Sequence, residues 1–590
     1  MSRLPPQEHP VSTAVETDVL IVGSGPAGAA AALALSTYGV PHIVVTRYAH
    51  LADTPRAHIT NQRTMEVLRD LGVEQEVVAR ATPQHLMGNT TFCTSLAGEE
   101  LGRVRSWGTD PLARAGHELA GPTRMCDLPQ HLMEPILVNA AVARGTRLRY
   151  ETEYLSHTQD ADGVTATVHD RLRGDTYEIR ARYLIGADGG RSKVAEVAGL
   201  PMRGRTGVAG SINIVFEADL SRYTAHRPST LYWVLTPGAT VGGIGAGLVR
   251  CVRPWNEWLI VWGYDVTAGA PDLTTEYAES VVRKLVGDDD LAVTITSSSA
   301  WTVNEMYAET YADGRVFCAG DAVHRHPPSN GLGSNTSIQD AYNLAWKLKL
   351  VLDGTAHPRL LDTYTAERAP VGRQVVTRAN RSIRETAPVF EALGGLAPQT
   401  PAQLRADIDA RKDATDAAER QRAALREAIA AKVYEFDAHG VDLNQRYTSA
   451  AIVPDGTPDP GFARDPELYH QPSSRPGARL PHAWITSGSR TLSTLDTVGR
   501  GRFTLLTGIG GDAWVRAAGK QDVEIATVVI GPGQPYEDPY GDWARLREIP
   551  DAGALLVRPD GYVAFRHPDG APTTAGDLLA DALRRILGHA

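Results

Sequence analysis

The sequence predicts an α/β fold of several domains, and three observations predict it. Residues 18–22 (DVLIV) form a buried strand that runs into Gly23-Ser24-Gly25-Pro26-Ala27-Gly28, followed by an alanine-rich helix that stops at Gly39. A second strand, loop and helix stand far downstream. There 316–319 (VFCA) leads through Gly320, Asp321, Pro327, Pro328, Gly331 and Gly333 to residues apolar at helical spacing from Ile338. Between the two, from about residue 210 to 301, short runs rich in Val, Ile, Tyr and Trp have the character of an antiparallel sheet.

Composition bounds the function. At 590 residues the chain exceeds what one core usually supports, so two or three domains are expected. The net charge of −10 argues against a nucleic-acid surface. No stretch reaches the roughly 18 apolar residues of a membrane span, and the polar first sixteen residues carry no secretory signal. Cys93, Cys126, Cys251 and Cys318 lie far apart without ligand spacing. That fits a reducing cytoplasm, with no metal site and no disulfide framework.

Taken in order, the first loop is a GxGxxG between a strand and a helix, the context of a Rossmann-like dinucleotide site. Gly23, Gly25 and Gly28 are the glycines of that motif and candidates for the dinucleotide contact. The next strand, 42–46, ends in Thr46-Arg47 where an acid usually meets a ribose, so Arg47 is assigned to the adenosine side. Residues 54–66 place Arg56 and His58 after a proline at a helix entry, where they also suit capping and surface charge. Residues 125–137 start a helix at Asp127-Leu128-Pro129-Gln130, and 147–157 with 164–170 alternate like antiparallel strands. Strand 182–186 closes on Ala187-Asp188-Gly189-Gly190, a ligand turn or a plain tight turn.

Strands at 211–217, 229–236, 242–250 and 258–264 are expected to wall an apolar substrate chamber, with Tyr232 and Trp233 as wall residues or ordinary core. Helices follow at 360–380 and, as a charged pair with solvated polar faces, at 402–433. A last domain from about residue 475 shows strands at 480–485 and 502–507 and a helix at 512–520. A hairpin turning at Asp560-Gly561 and a terminal helix at 575–587 complete it.

Five stretches carry a family resemblance: PRAHITNQRTMEVLRDLG, MCDLPQHLMEPIL, YLIGADGG, GRVFCAGDAVHRHPPSNGLGSNTSIQD and RPGARLPHAW. Together they resemble the single-component FAD-dependent aromatic hydroxylases, in their phenol hydroxylase branch. The resemblance implies a Rossmann-like FAD-binding domain (1–200 with 302–400), an inserted antiparallel-sheet substrate domain (201–301) and a helical connection (401–474). It also implies a thioredoxin-like domain (475–590) lacking redox cysteines. FAD is the implied cofactor, NADPH or NADH the co-substrate, and a small aromatic ring and O2 the reactants. A phenol would be hydroxylated ortho to its hydroxyl, giving a catechol. Other rings (a hydroxybenzoate, a polycyclic polyketide) or an oxidase without oxygen insertion are the alternatives. By position, Gln130, Asp188 and Asp321 contact flavin, ribityl or phosphate groups, and Arg56 lies near the flavin or pyrophosphate. Pro328, Gly331, Gly333 and Asn335 line the isoalloxazine. His58 stands where related enzymes carry an acid and is assigned as the phenol-activating base, with Tyr232 and Trp233 touching substrate. A homo-oligomer, dimer or tetramer, is expected.

Overall fold

The computed structural model describes residues 15–236, 246–394 and 400–589. Its first sheet is built around Val15–Val22, which starts three residues before the apolar run read from the sequence. Asp175–Gly186 and then Val316–Cys318 pair parallel on one side of it, His42–Val45 and Arg147–Arg149 on the other. Val19, Leu20 and Ile21 are fully buried, which is why this strand shows no polar alternation. Helix Pro26–Thr37 follows at once, with Pro at its first position, where the missing N–H costs nothing. In register, Val22 lies beside Gly186 and Gly186 beside Cys318, so three glycine-containing loops leave the same edge of the sheet.

The stretch 147–157, expected as one antiparallel strand, is two elements. Arg147–Arg149 is parallel, and Thr152–Gln159 pairs antiparallel with Val164–Asp170. The break falls at Glu151, whose φ of +50° no strand residue adopts.

The second sheet runs in the order His324–Arg325, Thr294–Ala308, Met202–Glu217, Glu257–Tyr264, Ala246–Arg253, Leu231–Leu235, Asn89–Cys93, Glu100–Arg105. It therefore draws strands from outside 201–301. The start of the strand expected at 242–250 lies outside the described residues. Helix Thr275–Val286 packs on one face of the sheet. The opposite face carries Phe92, Trp233, Leu248 and Val261 and is covered by Phe390 and by apolar residues of the connection, among them Leu425, Ile429 and Phe436.

In the C-terminal domain Phe503–Thr507 pairs parallel with Ile525–Val529 and antiparallel with Ala554–Val557, which pairs with Val563–His567. Residues 480–483 are not a strand: the amide of Leu480 bonds Gly561 O and that of Ala483 bonds Thr494 Oγ1, and pairing begins only at Trp484–Ser487. A buried charge cluster ties this domain to the first. Glu367 accepts from Lys347 (2.9 Å), Asn343 (2.7 Å) and Arg558 (2.5 and 2.8 Å), and Arg558 also donates to Asp560. Among the described residues no helix is long and apolar enough to cross a membrane.

Candidate functional site

The three loops at the sheet edge build a cradle whose glycines differ in what they do. A Cβ on Gly23 would stand 2.2 Å from Ala187 O, and one on Gly28 only 1.9 Å from Gly23 O. These two permit close packing of strand, helix and neighbouring loop. A Cβ on Gly25 would meet nothing nearer than Glu134 Oε1 at 3.9 Å, so space lies in front of the uncapped N-terminus of helix Pro26–Thr37. Free N–H groups and the positive end of the helix there suit a phosphate. Ala27, Ala187 and Ala319, one from each loop, pack together and keep the cradle narrow.

Polar residues surround it unevenly. The Asp188 carboxylate accepts from Ser192 Oγ (2.5 Å), Lys193 N (2.7 Å) and Val194 N (3.1 Å), so much of its capacity holds its own loop. Asp321 is exposed, as is Arg56, whose carbonyl accepts from Gln130 N at 2.8 Å. Arg47 lies exposed over Tyr48, with its carbonyl accepting from Arg171. Gln130 donates to Glu134 Oε1 at 2.5 Å, and Glu134 also accepts from Ala52 N at 2.8 Å. Burial pushes the Glu134 carboxyl upward. Sequence reasoning missed Glu134, which sits one helical turn after Gln130.

The third loop is shaped by Asn330 and Gly331, both in the left-handed region (φ +64° and +63°). A Cβ on Gly331 would press on Ile59 at 3.0 Å. Helix Gly333–Leu352, five residues longer at its start than the apolar periodicity showed, begins without a side-chain cap. Asn335 fixes the loop from inside, donating to Gly331 O (2.6 Å) and Ile59 O (2.7 Å) while accepting from Asn61 N (2.9 Å). Pro328 is exposed at the head of the loop. Beneath it Asp340 joins Gly320 N, His324 Nε2 and Arg368 Nε at 3.1, 2.8 and 2.7 Å. Burial would raise this carboxyl, but Arg368 and His324 outweigh it and hold it low.

Where the first domain meets the second sheet, His58 Nδ1 lies 3.4 Å from Asp127 Oδ1, and Arg250 Nη2 donates to Asp127 Oδ2 at 3.1 Å. Both His58 nitrogens, Asp127 Oδ1 and Arg250 Nε are buried without a hydrogen-bond partner. Apart from the His58–Asp127 contact, His58 Nε2 and Arg250 Nε have nothing to meet, which is costly unless a ligand does so. Burial, then the Arg250 charge, pull His58 down to about 4 against the pull of Asp127, so the ring is neutral at pH 7. Asp127 and Arg250 were missed by the sequence reading. Asp127 did stand in the MCDLPQ stretch, while nothing local marks Arg250.

Trp233 faces the apolar cluster under the helical connection, with Lys432 Nζ 5.6 Å from its ring centroid. Tyr232 does not, which corrects the expectation that it touches substrate. Strand alternation turns it to the opposite face, where its hydroxyl donates to Arg227 O at 3.0 Å.

The FAD binding domain family matches residues 16–379, and the aromatic-ring hydroxylase C-terminal family matches 473–590. A 2,4-dichlorophenol 6-monooxygenase of Delftia acidovorans is 58% identical over 98% of this chain and 99% of its own length. A phenol 2-monooxygenase of a Pseudomonas species is 51% identical over 94% of this chain and 90% of its own. Among solved structures, the flavin-dependent monooxygenase PieE, in complex with FAD and substrate, superposes with a TM-score of 0.94 at 47% identity. That match covers 98% of this chain and all of PieE.

Proposed function

The chain belongs to the FAD-dependent aromatic-ring hydroxylases, and from that premise we propose that it converts a phenol, chlorinated phenols included, to a catechol with NAD(P)H and O2. The observation that carries the reading is the buried His58–Asp127–Arg250 set, in which His58 Nε2 and Arg250 Nε have no partner, beside the apolar cluster that contains Trp233.

The cradle fits FAD. Gly23, Gly25 and Gly28 would hold the pyrophosphate at a helix N-terminus, and Gln130, Asp188, Asp321, Arg56 and Arg47 would surround the ribityl and adenosine portions. Pro328, Gly331, Gly333 and Asn335 would line the ring. When bound, FAD supplies hydride acceptance and oxygen activation. The chain's own residues do the rest. The neutral His58 ring accepts from the phenolic O–H, and Asp127 stabilises the imidazolium when the proton crosses. The apolar cluster keeps bulk water from the ring.

Charge balance favours a phenol over a hydroxybenzoate. Among the described residues, the cations Arg250 and Lys432 are matched by Asp127 and Glu435. The C-terminal domain, with strand order second-first-third-fourth and no cysteine, supports a thioredoxin-like reading without redox chemistry. A cytoplasmic homo-oligomer completes the proposal.

The test is NAD(P)H consumption by the FAD-loaded protein against phenols, hydroxybenzoates and naphthols, with peroxide and hydroxylated product measured in parallel. Simple or chlorinated phenols are expected to stimulate it and to yield catechol with little peroxide. Stimulation by carboxylated rings alone would move the substrate class, and peroxide without catechol would make the protein an oxidase.

A further inference from the structure

A hydrogen-bond chain leads away from the flavin loop to a carboxyl that none of the chemistry above uses. Asn335, which ties Gly331 and Ile59 together, accepts from Asn61 N at 2.9 Å. The Asn61 side chain donates in turn to Asp442 Oδ1 at 2.8 Å, while its own Oδ1 accepts from Thr64 N and caps helix Gln62–Asp70. Asp442 belongs to helix His439–Leu443, at the end of the connection that covers the substrate sheet. Three hydrogen bonds thus join that connection to the loop at Gly331.

Asp442 borders a small internal cavity that it shares with Asn61, Asn330, Glu435, Asp437 and His439. Asp442 is half-buried and lines this cavity, so its charge is less well solvated than one on the open surface. The groups around it are few. Asp437 repels a charge on Asp442, and His117 attracts it. His117 Nε2 also pairs with Asp437 at 2.8 Å, and its slightly exposed ring stacks on that of His439. Glu435 is paired with Lys432, and His439 bonds Gln62 Oε1. Burial dominates and raises the Asp442 carboxyl to about 7, so it changes charge in the neutral range.

We propose that Asp442 is a positioning residue for the flavin loop, acting through Asn61 and Asn335, and that its ionisation sets how firmly the loop at Gly331–Gly333 is held. An amide donating to a carboxylate makes a stronger hydrogen bond than one donating to a neutral carboxyl. The ionised form therefore fixes Asn61, hence Asn335, hence the loop, and the neutral form loosens them. The ligand concerned is the isoalloxazine end of FAD. The inference rests on the flavin reading of the 320–335 segment.

The experiment follows FAD release from the holoprotein by flavin fluorescence, near pH 6 and near pH 8. In the wild type the dissociation constant is expected to be about fivefold lower at the higher pH. Asp442→Asn, an uncharged acceptor at both, is expected to give one value near the wild-type acid value. Infrared difference spectra over the same range should show a protonated-carboxyl band that titrates in the wild type and is missing from Asp442→Asn. Asn61→Ser, which keeps an oxygen for the helix cap and drops the amide donor, should also flatten the response. It tests the idea independently should Asp442→Asn fail to fold. A wild-type constant that does not change between the two conditions, or variants that keep the full change, would overturn the proposal and leave the FAD site standing. Protein that binds no FAD in either condition would sink the flavin reading itself.

Discussion

At the scale of single residues, the buried histidines set the acid limit of the protein. His58, His326 and His482 are pulled to about 4 and His470 to about 3, in each case chiefly by burial. Such groups are neutral when folded and bind a proton near 6.5 when unfolded, so the unfolded chain takes up more protons in between. Their contribution to stability is whole above about pH 6.5 and is lost as pH falls toward 4, at up to about 1.4 kcal/mol per unit per histidine. A melting temperature that falls steeply through that window is expected, and His482→Gln should make the fall shallower. Asp442 has the opposite sign. Its folded value lies above the unfolded one, so it costs stability as pH rises from about 4 to about 7. Asp442→Asn should therefore raise the melting temperature at pH 8 more than at pH 5. His58→Ala is expected to lower phenol turnover by about a hundredfold while leaving FAD content unchanged, measured by product formation and by flavin absorbance. His58 was legible because it stands in a family-like stretch. Arg250 was not, since it meets Asp127 across 123 residues of chain. No local pattern records such a contact.

At the scale of elements, the two glycine loops that flank the chain's strongest apolar runs were readable, because strand, glycine and helix follow one another without interruption. Gly28→Ala should push its methyl into the Gly23 carbonyl. Loss of FAD affinity, together with about 1–3 kcal/mol of stability, is expected from flavin fluorescence and thermal melting. What stayed hidden was the facing of strands. Leu231–Leu235 is buried on both sides, so its sequence carries no polar mark to say which face meets the chamber. The outcome divides two neighbours. Trp233→Ala should open the chamber to bulkier rings and cost about 3–5 kcal/mol. Tyr232→Phe should leave KM unchanged and cost about 1 kcal/mol through the lost bond to Arg227 O. Steady-state kinetics on phenols of graded size, with melting curves, separates them. The helical pair near 402–433 was legible as helix, with charged faces turned to water. Its apolar edge at Leu425, Ala428 and Ile429, which closes the chamber, was not, because a cover is recognised only with the sheet beneath it.

At the scale of the whole molecule, Glu367 is the pin between the first and last domains. It meets Lys347, Arg558, Asn343 and Ser449 with no exposure to solvent. Burial opposes its charge, but Arg558 and Lys347 outweigh that and hold the carboxyl far below its ordinary value. Glu367→Gln leaves two buried cations short of a counter-charge and should cost about 3–5 kcal/mol, read as a lower melting temperature. The C-terminal domain is thus part of one folding frame, though its sequence alone announced a separate unit. The substrate sheet is attached quite differently. Met202, where its long first strand begins, pairs with Ala308, where its last long strand ends, so the segment leaves and rejoins the frame at adjacent points. Such a two-strand stem is a natural joint for recombination. Residues 202–308 of a relative, carried together with the partner strands at 89–105, would meet the frame again at His324–Arg325, which pairs with Tyr307 and Met306. Hybrids cut at that stem offer a route to new ring preferences on an unchanged cofactor platform.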